Sequence, residues 1–375
     1  MNPIRMVDLH TQYLQIKEEM DAAIQEVIDS TAFIKGYAVN HFKAELQHYL
    51  DVKHVIPCAN GTDALQLALM ALDLKPGEEV ITSTFTFIST VEVIALMNLK
   101  PVILDVDPDT FLLRPEDIEK AATPKTKAVI PVHLFGQCSD MEKINQLAAG
   151  SQWHVIEDAA QSLGADFMYS NHQKKKAGTM GEMGCTSFFP SKNLGCYGDG
   201  GAVFTRDDEK AEYLAALANH GMKRKYHYDV IGMNSRLDTM QAAILNVKLK
   251  YLDHYNKARQ FAAGYYDKHL SGIPALRLPA RVSNSTHIFH QYTIRLVDGQ
   301  RDELKEYLSD KGIPSMIYYP VPLHLQKAYQ YLGYREGDLP VSELISQQVL
   351  SLPMHTELDE AQLDYIVTTI KEFFN

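Results

Sequence analysis

Between Val55 and Thr205, short apolar runs alternate with stretches of helical periodicity, and this alternation constrains the fold more than any other feature of the chain. Val55–Cys58, Glu79–Ser83, Pro101–Val106, Lys127–Leu134, His154–Glu157, Gly184–Phe189 and Gly201–Thr205 read as strands. Helical patterns lie between most of them, at Thr62–Leu72, near Thr90–Met97, from Met141, and as a short segment after Glu157. Strands joined through helices need crossover connections, so the sheet must run mostly parallel with helices on both faces. In such α/β sheets, ligands sit beyond the carboxyl ends of the strands.

The flanking segments are of a different kind. Ile16, Met20, Ile24 and Val27 recur at helical spacing, Gly36 interrupts them, and a second helix is expected over Val39–Leu50. A long helical region follows the sheet, from Arg236 to Leu270, and Gly272-Ile273-Pro274 ends it. The remainder reads as a smaller α/β unit, with strands near Gln291–Leu296 and Ile313–Tyr319 and helices near Arg301–Lys311 and Asp359–Phe373. We therefore expect a large domain over residues 1–250 and a small one over 251–375, as a length of 375 residues also suggests.

Composition excludes several classes. A charged fraction of 22% with 46% hydrophobic residues is globular, not disordered. The 36 Lys and Arg against 47 Asp and Glu leave a net charge of −11, without the basic footprint that broad nucleic-acid binding requires. The N-terminal residues show no apolar signal segment, and no run approaches the ~20 residues of a spanning helix, so a cytoplasmic protein without membrane contact is expected. Cys58, Cys138, Cys185 and Cys196 are too few and too scattered for a disulfide framework or a zinc site. His287 and His290 are three apart on an expected strand, a weak metal signal, and no metal is expected. The basic run Lys174-Lys175-Lys176 reads as a solvated hairpin tip rather than a phosphate site.

Three strand ends carry chemistry. In Asn60-Gly61-Thr62, a glycine turn opens into a helix that Thr62 could cap, and free N–H groups there suit a phosphate. An ordinary capped helix would look the same. In Glu157-Asp158-Ala159-Ala160-Gln161, two carboxylates close a strand; alternation points them to opposite faces, so only one can enter a given pocket. For Asp158 the competing reading is a helix N-cap. In Ser187-Phe188-Phe189-Pro190-Ser191-Lys192, a lysine follows an aromatic strand and precedes glycines, a setting that can depress its pKa and make it a Schiff-base nucleophile. An exposed loop lysine is the commoner fate. Gly195 and Gly198 precede a strand rather than a helix, and no G-K-[ST] occurs, which excludes dinucleotide and P-loop readings. A phosphate-binding helix terminus, an acid for a ring nitrogen and a Schiff-base lysine together match the needs of pyridoxal phosphate.

These segments, with Phe33-Ile34-Lys35-Gly36, Asn234-Ser235-Arg236-Leu237 and Leu352-Pro353-Met354-His355, make nearly the whole chain resemble the DegT/StrS family of sugar aminotransferases. The resemblance implies the aspartate-aminotransferase fold (fold type I) and pyridoxal 5'-phosphate, alternating with its pyridoxamine form, as cofactor. It implies that Lys192 is the catalytic Schiff-base lysine and that Asp158 pairs with the pyridine nitrogen. Gln161 would contact the phenolic oxygen, Phe87 would stack on the ring, and Gly61, Thr62 and Ser187 would hold the phosphate. Asn234 would reach the cofactor phosphate of a second subunit, which implies a homodimer. Relatives that act as dehydratases carry histidine in place of Lys192, so the lysine favours transamination, with L-glutamate as amino donor and a nucleotide-linked keto sugar as acceptor.

Cys58–Leu65, Val132–Cys138 and Lys192–Gly201 are most similar to the subgroup acting on UDP-2-acetamido-2-deoxy-3-oxo-D-glucuronate in bacterial surface-polysaccharide (O-antigen) pathways. Arg236 would then face the sugar carboxylate, since its fork matches one; a structural ion pair at a dimer interface is the alternative. Where many relatives read His-Tyr-Pro, this chain has Tyr318-Tyr319-Pro320. The Tyr319 hydroxyl remains a substrate contact, and His324 is the candidate replacement for the missing histidine. The competing expectations are a 3- or 4-keto-6-deoxy sugar as acceptor, a related dehydratase, and a non-catalytic binding or regulatory protein on the same fold.

Overall fold

The computed structural model describes residues 3–375. Its centre is a seven-stranded sheet. In spatial order the strands are His54–Cys58, Gly201–Thr205, Met183–Ser187, His154–Asp158, Thr126–Ile130, Glu79–Ser83 and Lys100–Leu104. Gly201–Thr205 runs antiparallel to both neighbours, and every other pairing is parallel. The fold is therefore α/β with a mostly parallel sheet, as the alternation requires.

Both faces of this sheet are buried, which is why its strands read as continuous apolar runs. Val80, Ile130 and Ile156 pack on one face with Leu65 and Ala68 of the helix Gly61–Met70. Their sequence neighbours Ile81, Val129 and Val155 pack on the other, with Met141, Ile144 and Ala148 of the helix Met141–Ser151. A third apolar cluster joins Val55 and Phe204 to Met20, Phe42 and Leu46 from the helices Lys17–Ser30 and Tyr37–Leu50.

The C-terminal part builds its own core on a three-stranded antiparallel sheet of Leu276–Arg277, Tyr292–Leu296 and Val349–Leu352, covered by the helix Glu360–Phe374. Ile4 packs into this second core, and Met354 N–H donates to the carbonyl of Met6, so the N-terminal residues lie along the C-terminal unit. The long helical region is two helices, Thr239–Leu249 and Leu252–Leu270. We propose the division of the chain at this break, residues 1–250 and 251–375.

Several local expectations are corrected. Ile313–Tyr319 is not a strand: one bridge, Met316 to Ser351, ties it to the small sheet, and Ile317, Tyr318 and Tyr319 turn instead toward a cavity. The strand Val349–Leu352 takes its place in that sheet. No helix follows Asp158: Ala159 N–H donates to the Cys185 carbonyl of the next strand, and the chain continues in turns, with Ser162 N–H on the Ala159 carbonyl at 3.1 Å and Ala165 N–H on the Ser162 carbonyl at 2.9 Å. His287 and His290 lie in a loop, with Phe289 at φ +48°. Among the described residues, no cluster of His, Cys, Asp and Glu could hold a metal and no helix is long and apolar enough to cross a membrane. The four cysteines are free and buried. Lys174 and Lys176 pair with Asp166 at 2.8 and 3.0 Å on a short hairpin.

Candidate active site

A cavity of about 630 Å³ opens at the carboxyl ends of the parallel strands. Gly61, Thr62, Phe87, Asp158, Gln161, Ser187, Lys192 and Tyr319 all line it. Topology explains the convergence. Cys58 ends one strand just before Asn60-Gly61-Thr62, Asp158 ends a second, and Ser187 ends a third that leads into the lysine loop.

The helix Gly61–Met70 points its N-terminus at the cavity. Asn60, not Thr62, is its cap: Asn60 Oδ1 accepts from Asp63 N–H at 2.8 Å. Thr62 is thereby left free to share a hydrogen bond with Ser89 across 2.7 Å between hydroxyls. Gly61 is required by close approach, since a Cβ there would stand 2.7 Å from the Ser187 Cβ. The result is a cradle of two hydroxyls and helical N–H groups, aligned with the positive end of the helix dipole.

Asp158 is buried at the far end. Thr90 donates its hydroxyl to Oδ2 at 2.7 Å and Ala160 N–H donates to Oδ1 at 3.2 Å. The carboxylate makes a local turn instead of capping a helix, so the N-cap reading is overturned. Glu157 faces the opposite side of the sheet, as alternation requires. It is fully buried and pairs there with His133.

Lys192 rides on a tight loop. Its N–H donates to Phe189 O at 2.8 Å, and Cys196 N–H closes the loop onto Phe188 O at 2.8 Å. Asn193 anchors one flank through Asn256 at 2.7 Å, and the buried Lys248 ammonium donates to Gly195 O at 2.8 Å. Burial holds the Lys192 amine down to about 8, partly offset by the Asp158 charge. About a tenth of the amine is therefore unprotonated and nucleophilic at pH 7, far more than an ordinary lysine offers.

Gln161 bridges two walls. Its Oε1 accepts from Phe135 N–H at 2.9 Å, and its Nε2 donates to the Tyr319 hydroxyl at 3.1 Å. Burial pushes the Tyr319 phenol up, so it stays a neutral hydroxyl. Phe87 is 55% exposed and lines the cavity.

Three sequence-selected residues lie elsewhere. Asn234 is exposed and Arg236 half-buried, and neither lines the cavity. His324 is buried outside the lining, bonded to Thr84 at 2.9 Å through Nδ1 and to Glu343 at 3.0 Å through Nε2. Conversely, Ser89, Asp199 and His290 line the cavity without having been singled out for it. The sequence marks His290 only as a weak metal partner of His287. Burial first, then the charges of Lys192 and Arg259, hold its imidazole well below the usual histidine range, and its Nδ1 has no partner among the described residues. Ser89 and Thr90 follow a strand end, the same signal that marked the other three segments.

The chain matches the DegT/DnrJ/EryC1/StrS aminotransferase family over residues 14–371. It belongs to that family. A protein of Geobacillus stearothermophilus named pleiotropic regulatory protein is 46% identical over 99% of this chain and 98% of its own. The UDP-2-acetamido-2-deoxy-3-oxo-D-glucuronate aminotransferase of Pseudomonas aeruginosa is 43% identical over 98% of this chain and 99% of its own. The crystal structure of S. venezuelae DesV in complex with a ketimine intermediate superposes with a TM-score of 0.95 at 38% identity, covering 100% of this chain and 99% of that one.

Membership of the DegT/DnrJ/EryC1/StrS family makes the chain a fold type I aminotransferase that uses pyridoxal phosphate. The cavity fits that cofactor. The Gly61 cradle has no room for a Cβ but offers donors for a phosphate, and the opposite end offers an ionisable carboxylate held by two donors. Lys192 opens into the same space.

Proposed function

We propose that this aminotransferase moves the amino group of L-glutamate to a keto group of a nucleotide-linked sugar. UDP-2-acetamido-2-deoxy-3-oxo-D-glucuronate is the leading acceptor, within bacterial surface-polysaccharide synthesis in the cytoplasm. One observation carries the reading: a buried lysine with a depressed pKa lines the same cavity as a carboxylate buried at the end of a strand. The full-length relative of Pseudomonas aeruginosa supports the choice of sugar.

Bound pyridoxal phosphate supplies an electron-accepting ring. Each residue then has a defined task. Thr62, Ser187 and the N–H of Gly61 hold the phosphate. Asp158 offers a carboxylate lone pair to the ring N–H, and Phe87 offers a flat face. Gln161 has one amide hydrogen engaged with Tyr319 and a second available to the phenolic oxygen. Lys192 anchors the cofactor and, once released, takes and returns the proton at the substrate carbon through Nζ. The Tyr319 hydroxyl orients the sugar.

We further propose a homodimer. The exposure of Asn234 beside the half-buried Arg236, with Tyr37 at 76% and Ile231 at 90% exposed, supports an interface there that brings these two polar residues to a second subunit's cavity.

The purified protein should be yellow, bleach with borohydride and carry the reduced label on Lys192. L-Glutamate should convert the spectrum to that of the pyridoxamine form. A colourless protein that takes up no added cofactor would refute the reading, and a yellow one unmoved by glutamate would favour the non-catalytic alternative suggested by the relative named as a regulator. A panel of UDP- and dTDP-linked keto sugars tests the acceptor: turnover only with 6-deoxy sugars defeats the glucuronate assignment. Arg236→Ala should weaken sugar binding more than glutamate binding.

A further inference from the structure

Two consecutive residues tie the opposite ends of the cavity together. Ser89 opens the helix Ser89–Leu96, and its hydroxyl lies 2.7 Å from that of Thr62. Thr90, the next residue, is fully buried and donates its hydroxyl to Asp158 Oδ2 at 2.7 Å. Neighbouring side chains on a helix diverge by about 100°, which lets one turn of backbone serve both ends. The carrier is rigid: Val91, Val93 and Ile94 are buried in the core, and Val91 N–H closes on Ile88 O at 3.1 Å. Phe87, two residues upstream of Ser89, also lines the cavity.

The donors on Asp158 matter chemically. With Thr90 on one oxygen and Ala160 N–H on the other, the carboxylate is held in one plane with its remaining lone pairs committed in direction. We propose that Ser89 and Thr90 are positioning residues that fix the spacing between the phosphate cradle and the ring-nitrogen partner, Thr90 by orienting the Asp158 carboxylate and Ser89 by orienting the Thr62 hydroxyl. The proposal rests on the roles given above to Asp158 and Thr62.

The two ends can be read separately in the reconstituted holoprotein. Loading with ¹⁵N-labelled pyridoxal phosphate reports the protonation of the ring nitrogen by NMR. The ratio of affinities for pyridoxal phosphate and for phosphate-free pyridoxal reports the cradle. Thr90→Val should move the ring-nitrogen signal toward neutral pyridine and weaken both ligands about tenfold, leaving their ratio unchanged. Ser89→Ala should leave that signal in place and lower the ratio by about three- to tenfold. Thr90→Ser, which keeps the hydroxyl, should restore the signal and guards against loss of folding in the valine variant. An unmoved ring-nitrogen signal in Thr90→Val, or equal losses of both ligands in Ser89→Ala, overturns the proposal. Asp158→Asn without effect on the signal, or Thr62→Val without effect on the ratio, overturns instead the roles on which it rests.

Discussion

His133 Nε2 donates to the buried Glu157 carboxylate at 2.8 Å, back to back with Asp158 across the end of one strand. The tautomer is set by geometry, because His133 Nδ1 accepts from Ser139 N–H at 3.2 Å and leaves Nε2 to carry the proton. Glu157 also gathers the backbone N–H groups of Gly178, Met180 and Gly181. His133 N–H in turn donates to Asp158 O at 3.0 Å. The carboxylate behind the sheet therefore holds the strand end on which the carboxylate in front depends.

Replacing Glu157 by leucine should destabilise the chain by about 3–5 kcal/mol, because it strands a buried imidazole and three backbone N–H groups, two of them buried. Glu157→Gln should cost less, since the amide oxygen can keep part of the set. Urea denaturation of the cofactor-free protein checks both. Equal, near-zero effects would show that the pair is dispensable.

Lys192 pays for its reactivity in stability. Its folded-state pKa of about 8 lies below the ordinary 10.5. Between those values the unfolded chain binds a proton that the folded chain does not, so stability rises with pH through this window and the penalty is complete below about 8. Lys192→Met should therefore raise the melting temperature of the cofactor-free protein by roughly a few degrees at pH 7. The gain should shrink as pH climbs toward 10. A melting-temperature difference independent of pH would contradict the burial argument.

At Gly61 the expected effect is on binding, not folding. Gly61→Ala places a Cβ 2.7 Å from the Ser187 Cβ, so the cradle must open. Affinity for pyridoxal phosphate should drop at least about tenfold, as for the loss of a charge-assisted hydrogen bond. Free inorganic phosphate should compete less well for the same site. Fluorescence titration of the cofactor-free protein measures both.

Tyr319→Phe removes the hydroxyl that accepts from Gln161. Cofactor affinity should change little, since Phe135 N–H still holds the Gln161 carbonyl at 2.9 Å. The KM for the sugar acceptor should rise about tenfold, the cost of one lost hydrogen bond near 1.4 kcal/mol, with the glutamate half-reaction unaffected. Equal losses in both half-reactions would move Tyr319 from sugar recognition to cofactor placement.

The sheet was legible because burial on both faces leaves unbroken apolar runs such as Glu79–Ser83, whose five residues are all buried. Gly61, Asp158 and Lys192 were legible because each follows such a run, and strand ends converge in space. Asn60 and Thr62 were exchanged as caps because both residue types can cap; only the backbone decides which side chain reaches Asp63 N–H. The turn after Asp158 and the irregular path of Ile313–Tyr319 were not legible. Contacts distant in sequence settle both, with Cys185 claiming Ala159 N–H in one and Ser351 bridging Met316 in the other. Thr90 escaped notice for a similar reason: a threonine near a helix start is ordinary until a carboxylate 68 residues away is seen to accept from it.

The helix Leu252–Leu270 belongs to both units. Leu252 sits in the core beside the large sheet, while Ala262, Ala263, Tyr266 and Leu270 sit in the core of the small one. Its 19 residues make a rod of about 28 Å that no hinge interrupts. Cutting the chain at residue 250 would leave the first fragment without a plug and the second with an exposed apolar stub. The helix is thus set like a beam in two walls, one of them the wall that Asn256 shares with the lysine loop.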